Sequence, residues 1–124
     1  MSRSRTEEVP VGVPRNYLRP CLLLLLAEGT SHGYELLDQV TALGLEKSDP
    51  GRIYRCLRAM DEDGLVRSAW EPSATGPARR TYELTEDGLE WLHALAGSLA
   101  EVSRTLSAYQ ARYRRLLSQD EPAR

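Results

Sequence analysis

Phenylalanine is absent from this chain of 124 residues, lysine occurs once, and cysteine occurs only twice. Each shortage excludes something. Without phenylalanine, the core has to be built on leucine. Cys21 and Cys56 each sit inside an apolar helical pattern, so buried thiols are expected and not a disulfide framework or a metal site. Long hydrophobic runs are lacking too. Cys21–Ala27 is seven residues long, far below the roughly 20 that cross a bilayer. It has no small-residue cleavage pattern close behind it, which argues against a signal peptide. These features together predict a reduced, cytoplasmic, soluble protein without a membrane partner. There is no phosphate-cradling glycine loop, no Cys or His pair at metal spacing, and no nucleophile elbow. No enzyme, cofactor or metal is therefore expected. The length suits one domain, and the formal net charge of −2 gives no overall support to nucleic-acid binding, so the distribution of charge has to decide.

Arginine is what the chain has in quantity: of the 16 basic residues all but Lys47 are arginine, a side chain suited to two-pronged contacts with phosphate or guanine. The stretch Asp49–Gly64, DPGRIYRCLRAMDEDG, organises them. Asp49 can cap a helix, Pro50 fits its first position and Gly64 fits the left-handed position after its end. Ile53, Leu57 and Met60 form one apolar stripe, widened by Cys56. Arg52, Arg55 and Ala59 fall on another face, flanked by Tyr54 and Arg58. On its own this is an ordinary amphipathic helix with a charged outer face.

Its neighbours change the reading. Residues 1–14 lack periodicity and read as a flexible arm, in which Arg3 and Arg5 are within reach of DNA but a solvated tail is the simpler account. Residues 15–28 read as a first helix, with Pro20 near its first turn and Gly29 at its end. Leu22–Leu26 is apolar almost all round, so this helix is expected inside the assembly, covered by its own domain or by a second subunit. Residues 31–43 read as a second helix, with Ser31 as cap and Tyr34, Leu37 and Val40 facing inward, joined by Leu36 and Leu43; Gly44 stops it. His32 at its start reads as a surface or capping group. Two helices joined by a short turn, the second bearing outward arginines, make a helix-turn-helix.

After Gly64 the period changes. Leu65–Glu71 alternates as a strand, with Val66, Ser68 and Trp70 on one side. Residues 72–78 are turn formers, and Thr81–Leu84 is a second strand with Tyr82 and Leu84 on one face. The hairpin is a wing, whose base carries Arg79 and Arg80 in reach of a phosphate backbone or a minor groove. Residues 85–117, capped by Thr85, read as one helix with two heptad series. Leu92, Leu99, Leu106 and Tyr113 form one, and Leu95, Val102, Tyr109 and Leu116 the other. At 1.5 Å per residue such a helix is roughly 50 Å long, longer than the rest of the chain can cover, so its stripe calls for the same stripe of a second copy. Residues 118–124 read as a polar tail. The fold class expected is mainly α with a small β-hairpin: a winged helix-turn-helix over residues 15–84 followed by a dimerisation helix over 85–117.

Specific motifs resemble the PadR family of bacterial transcriptional repressors. HGYEL (His32–Leu36) is similar to the family's second-helix motif. GRIYRCLRAMDEDGLV (Gly51–Val66) is similar to its recognition helix. Trp70-Glu71 and GPARRTYELTEDG (Gly76–Gly88) resemble its wing and the start of its last helix. The resemblance runs from about Tyr17 to Gly88, and the single long helix after it resembles the shorter subgroup. Arg52 stands where the family usually has Thr, and Arg55 where Pro is frequent, which adds charge and suggests a different operator. The resemblance implies a homodimeric repressor of a palindromic operator in double-stranded DNA, with the third helix in the major groove. Arg52, Arg55 and Arg58 are then candidates for base or phosphate contacts, and Arg67, Arg79 and Arg80 for backbone contacts. Tyr54 would touch a phosphate or pack beside the helix. Pairing with Asp61, Glu62, Asp63 or Glu71 is the competing role for Arg58 and Arg67. Some members resemble sensors that stack flat ligands between aromatic residues of the pairing helices. Trp91, one position off the seam, is the candidate contact for a small planar effector, while Tyr109 and Tyr113 read as dimer packing. A winged helix that binds another protein instead of DNA is the alternative, kept open by an acidic pI of about 5.7.

Overall fold

The computed structural model describes residues 13–46 and 49–120. The arm residues Arg3 and Arg5, and the last four residues of the expected tail, lie outside the described residues. The elements run α1 (Leu18–Ala27), α2 (Gly33–Gln39), a 3-10 turn (Val40–Leu43), α3 (Pro50–Glu62), β1 (Val66–Glu71), β2 (Arg79–Leu84) and α4 (Glu86–Asp120). This is a helix-turn-helix with a two-stranded wing and a long final helix. No helix among the described residues is long and apolar enough to cross a membrane.

The signals around α3 act as their chemistry requires. Asp49 Oδ1 accepts the Gly51 amide at 3.0 Å and Pro50 takes the first helical position. Gly64 leaves the helix at φ +79°, a conformation that costs an L-residue with a side chain. Ile53, Leu57 and Met60 are wholly buried. They meet Leu22, Leu23, Leu36, Val40 and Val66, all sealed from solvent, and burial of each such side chain contributes about 1.5–3 kcal/mol against the entropy of ordering it. The leucine run of α1 is thus covered by its own domain, with only Leu24 left open. Cys21 is buried and Cys56 half-buried, both free thiols. Burial pushes both thiols above their ordinary pKa; at Cys56 the neighbouring Arg19 and Arg52 act in the opposite direction.

The second helix departs from expectation in three ways. It is shorter, because its last turn tightens into the 3-10 segment, where the Leu43 carbonyl accepts the Tyr17 hydroxyl at 2.9 Å. His32, and not Ser31, holds the N-cap position. The Ser31 carbonyl accepts the Tyr82 amide at 2.8 Å and His32 bridges to Thr81, so this segment lies along β2 instead of capping a helix. Tyr34 is 49% exposed, while Gly33, Leu36 and Val40 form the buried face. Both stripes have helical spacing and share Val40. The one chosen brings Gly33 against α3, where a Cβ on it would stand 2.8 Å from Tyr54 Cε1.

The strands pair antiparallel, Val66 opposite Leu84 through Glu71 opposite Arg79. Arg79 and Arg80 therefore belong to β2 and sit at the loop end of the wing, not at its base. Being adjacent in a strand, they point to opposite faces. Thr85 caps α4: its hydroxyl oxygen accepts the Gly88 amide at 3.0 Å while its O–H donates to the Gly64 carbonyl at 2.6 Å. Gly88 lies so close to the Leu65 carbonyl that a Cβ there would come within 2.0 Å of the oxygen. The helix continues to Asp120, so residues 118–120 are helical and not tail; nothing in Ser118–Asp120 breaks a helix before Pro122. The chain divides into two units inside α4, between Leu92 and His93.

Candidate nucleic-acid interface

Three arginines project from α3, and all three are exposed. Arg52 and Arg55 share one face, as their spacing dictates; Arg55 Nη2 lies 3.9 Å from Asp49 Oδ2, a loose contact. Arg58 falls on the side toward the wing, where Tyr54, Arg58 and Asp61 from α3 and Trp70, Arg80 and Tyr82 from the strands line an open recess of about 470 Å³. Asp61 does not pair with Arg58. Its Oδ2 accepts the Ser68 hydroxyl at 2.7 Å, and Arg58 has no ion-pair partner among the described residues. Tyr54 packs beside the helix, over Gly33, with its ring edge in the recess.

On β2 both arginines have an aromatic partner. The Arg80 guanidinium lies 4.9 Å from the centroid of the Trp70 ring and donates to Ser68 Oγ at 2.9 Å. On the opposite face Arg79 lies 5.8 Å from the Tyr34 ring and donates to its hydroxyl at 3.3 Å. Arg67 meets its cross-strand neighbour Glu83 at 3.5 Å, with both side chains exposed, so the pair is weak. Burial holds the Tyr82 hydroxyl above its ordinary pKa, and the nearby Arg80 acts in the opposite direction.

His32 is the residue sequence reasoning undervalued. Its Nε2 lies 3.0 Å from Glu71 Oε1 on β1 and its Nδ1 lies 3.1 Å from Glu35 Oε1 on α2. The two carboxylates, Glu71 first, raise its pKa above the ordinary value of 6.5. The start of α2 is thereby tied to the wing through both backbone and side chains. The HGYEL motif carries the signal: His for the wing carboxylate, Gly for the approach of Tyr54, Tyr for Arg79. Trp70, 63% exposed, was read only as one strand residue and is in fact the platform under Arg80.

The electrostatic result is an asymmetry between acids and bases. Along α3 and the wing, Asp49 caps a helix, Asp61 takes a hydroxyl, Asp63 binds Arg19 at 3.2 Å, Glu71 binds His32 and Glu83 faces Arg67. Five acids are thus engaged by groups within the fold, Glu62 stays exposed on the last turn of α3, and Arg52 and Arg58 are left projecting. On α4, Leu92 is buried, at 9% exposure, and Leu95 and Leu99 are half-buried. Val102, Leu106, Tyr109, Tyr113 and Leu116 are exposed, as is Trp91.

Comparison with known proteins agrees with this arrangement. The family model described as the transcriptional regulator PadR-like family matches residues 22–94. No curated protein sequence matches the chain. Among solved structures, a conserved protein of unknown function described as a potential transcriptional factor is 31% identical, with a TM-score of 0.73, covering 88% of this chain and 99% of its own. A PadR-like transcriptional regulator from Bacillus cereus is 29% identical, with a TM-score of 0.69, covering 77% of this chain and 93% of its own. PadR of Bacillus subtilis in complex with operator DNA is 16% identical, with a TM-score of 0.56 over 86% of this chain and 81% of its own, and shares the fold. With α3, the wing and the start of α4 all inside the matched segment, the chain belongs to the PadR-like family of transcriptional regulators.

Proposed function

We propose that this regulator is a homodimeric cytoplasmic repressor that binds a palindromic operator through α3 and the wing. The observation that carries the reading is the asymmetry just described: every acid of α3 and the wing but Glu62 held by a group of the fold, beside arginines that face outward. Arg52, Arg55 and Arg58 contact bases or phosphates in the major groove, with Tyr54 at its edge, and Arg79 and Arg80 contact the flanking backbone. Half-sites one helical turn apart need two such faces about 34 Å apart. The α4 stripe of Leu95, Leu99, Val102, Leu106, Tyr109, Tyr113 and Leu116 pairs with that of a second copy and sets this distance. Leu92, already buried, anchors the beginning of the seam within its own subunit. The binding of PadR of Bacillus subtilis to operator DNA is the precedent on the same fold.

The test is a titration into labelled DNA from upstream of the protein's own gene, read by anisotropy at several salt concentrations. A Kd near 10⁻⁸ M, about a thousandfold tighter than for random DNA, is the expected result. The preference is lost in Arg52→Ala/Arg55→Ala, and affinity falls steeply with salt as counterions are released. Weak, equal binding to both DNAs would favour the second reading, a protein-binding adaptor, which the acidic pI supports. Release by a small planar effector is the remaining part of the proposal. Trp91, aromatic and exposed on α4, is its contact. Planar cationic or phenolic compounds then quench tryptophan emission, and Trp91→Ala removes the response that Trp70→Phe keeps.

A further inference from the structure

We infer that Ser68 and Trp70 are positioning residues for Arg80, and that with Asp61 they fix the wing to α3 so that both present their arginines in one geometry. The inference rests on the DNA-binding reading above and names how one of its contacts is prepared. Four observations meet here. Arg80 donates to Ser68 Oγ at 2.9 Å. The same hydroxyl donates to Asp61 Oδ2 at 2.7 Å, on the last turn of α3. The Arg80 guanidinium stacks 4.9 Å from the Trp70 centroid. Trp70 is nonetheless 63% exposed, so it contributes little to the core and its packing is spent mainly on Arg80.

The chemistry of the relay gives it direction. A serine hydroxyl has one proton and two lone pairs. With its proton committed to the Asp61 carboxylate, its lone pairs face Arg80, and the chain runs Arg80 to Ser68 to Asp61 with every proton assigned. Both ends are charged, which strengthens each bond. An arginine loses rotamer freedom when it binds phosphate; one already held by a hydroxyl and a ring loses less, and the saving appears as affinity. The guanidinium has five N–H donors, so the one given to Ser68 leaves others for a phosphate. The same relay keeps the Asp61 carboxylate directed at the wing and away from an approaching backbone. Arg79 is held on the other face by Tyr34 of α2, so among the described residues Arg80 is the β2 arginine joined to α3, through the Ser68–Asp61 bond that ties the wing to that helix.

The positioning is read first without DNA, by ¹⁵N relaxation of the Arg80 Nε–H in the intact protein. An ordered Nε–H in the native chain that becomes mobile in Ser68→Ala and in Trp70→Ala, and is ordered again in Ser68→Thr, is expected. A mobile Nε–H in the native chain overturns the inference, as does one unaffected by either substitution. The second measurement is operator affinity. Ser68→Ala weakens it about fivefold, the scale of ordering one rotamer-rich side chain at an interface, and Ser68→Thr restores it. In an Arg80→Ala background Ser68→Ala causes no further loss, because the two act through one contact; additive losses overturn the inference. Native protein that binds no DNA specifically overturns the DNA-binding reading instead, and the relaxation result then decides the positioning by itself.

Discussion

Two parts of this molecule use the same residue type to opposite ends. In the winged unit, Leu22, Leu23, Leu36 and Leu57 are sealed inside a core that their own chain closes. Along the second half of α4, Leu106, Leu116 and Leu117 are about half exposed. The difference lies in what the surrounding chain can fold back over. Helices of seven to thirteen residues and a hairpin enclose one another, whereas a helix of 35 residues, roughly 50 Å long, outruns them. An apolar residue on α1 is therefore covered within its own chain, and one on the distal part of α4 is left open, which is where the proposed pairing with a second copy would act.

The comparison can be broken most forcefully at two glycines of the same helix. A Cβ at Gly88 would strike the Leu65 carbonyl, while one at Gly97 would meet nothing within 4 Å. Gly88→Ala is expected to cost about 4 kcal/mol, in the range of the most damaging single substitutions, measured by urea unfolding. Next come two apolar truncations. Ile53→Ala costs about 3 kcal/mol through loss of burial and the cavity left behind, at any protein concentration. Leu106→Ala leaves unfolding of the winged unit within about 0.5 kcal/mol but weakens self-association in sedimentation equilibrium. If Leu106→Ala lowered stability independently of concentration, the open stripe would be closed by its own chain and the contrast would fail. Gly97→Ala is smaller and opposite in sign to Gly88→Ala, a gain of about 1 kcal/mol from helix propensity.

The subtlest test concerns the junction of α2 with the wing. His32 has its pKa raised in the fold, chiefly by Glu71 and then by Glu35. A group with a raised folded pKa stabilises fully below its unfolded value, near 6.5, and that contribution is lost as pH rises through the folded value. Melting temperature followed from about pH 5.5 to 8.5 should therefore include a fall that begins as pH rises past about 6.5 and that His32→Gln abolishes. The second histidine, His93, is unchanged in that variant and serves as the internal control. A fall of equal size in His32→Gln would remove the clamp from the account.

Where the sequence was legible, the signals were local. Asp49, Pro50 and Gly64 bound α3 because capping, ring geometry and left-handed backbone depend on one or two residues. The wing and the length of α4 followed from alternation and heptads. Illegible were the features that depend on which of two equivalent faces turns inward. Tyr34 and Leu37 lie three residues apart just as Gly33 and Leu36 do, and a glycine adds no apolar weight to its stripe, so the pattern put Tyr34 on the inward face that Gly33, Leu36 and Val40 form. Arg79 and Arg80 are neighbours in sequence but on opposite sides of a strand; Trp70 faces Arg80 across the hairpin register, a pairing that needs the register, while the contact of Arg79 with Tyr34 joins two elements that no spacing rule would pair.

By itself, the sequence determined the order of the helices, the ends of α3, the hairpin, the arginine-bearing face of α3 and the apolar stripe of α4, since each arises from contacts within a few residues. Only the tertiary structure decided which acids are consumed by the fold, that His32 joins α2 to Glu71, that Gly33 and Gly88 are required by the backbone or ring lying against them, and that Arg80 is held through Ser68 to Asp61. The His32–Glu71, Ser68–Asp61 and Arg80–Ser68 partners lie 39, 7 and 12 positions apart along the chain, and only the packing of α2, α3 and the wing against one another brings them within hydrogen-bonding distance.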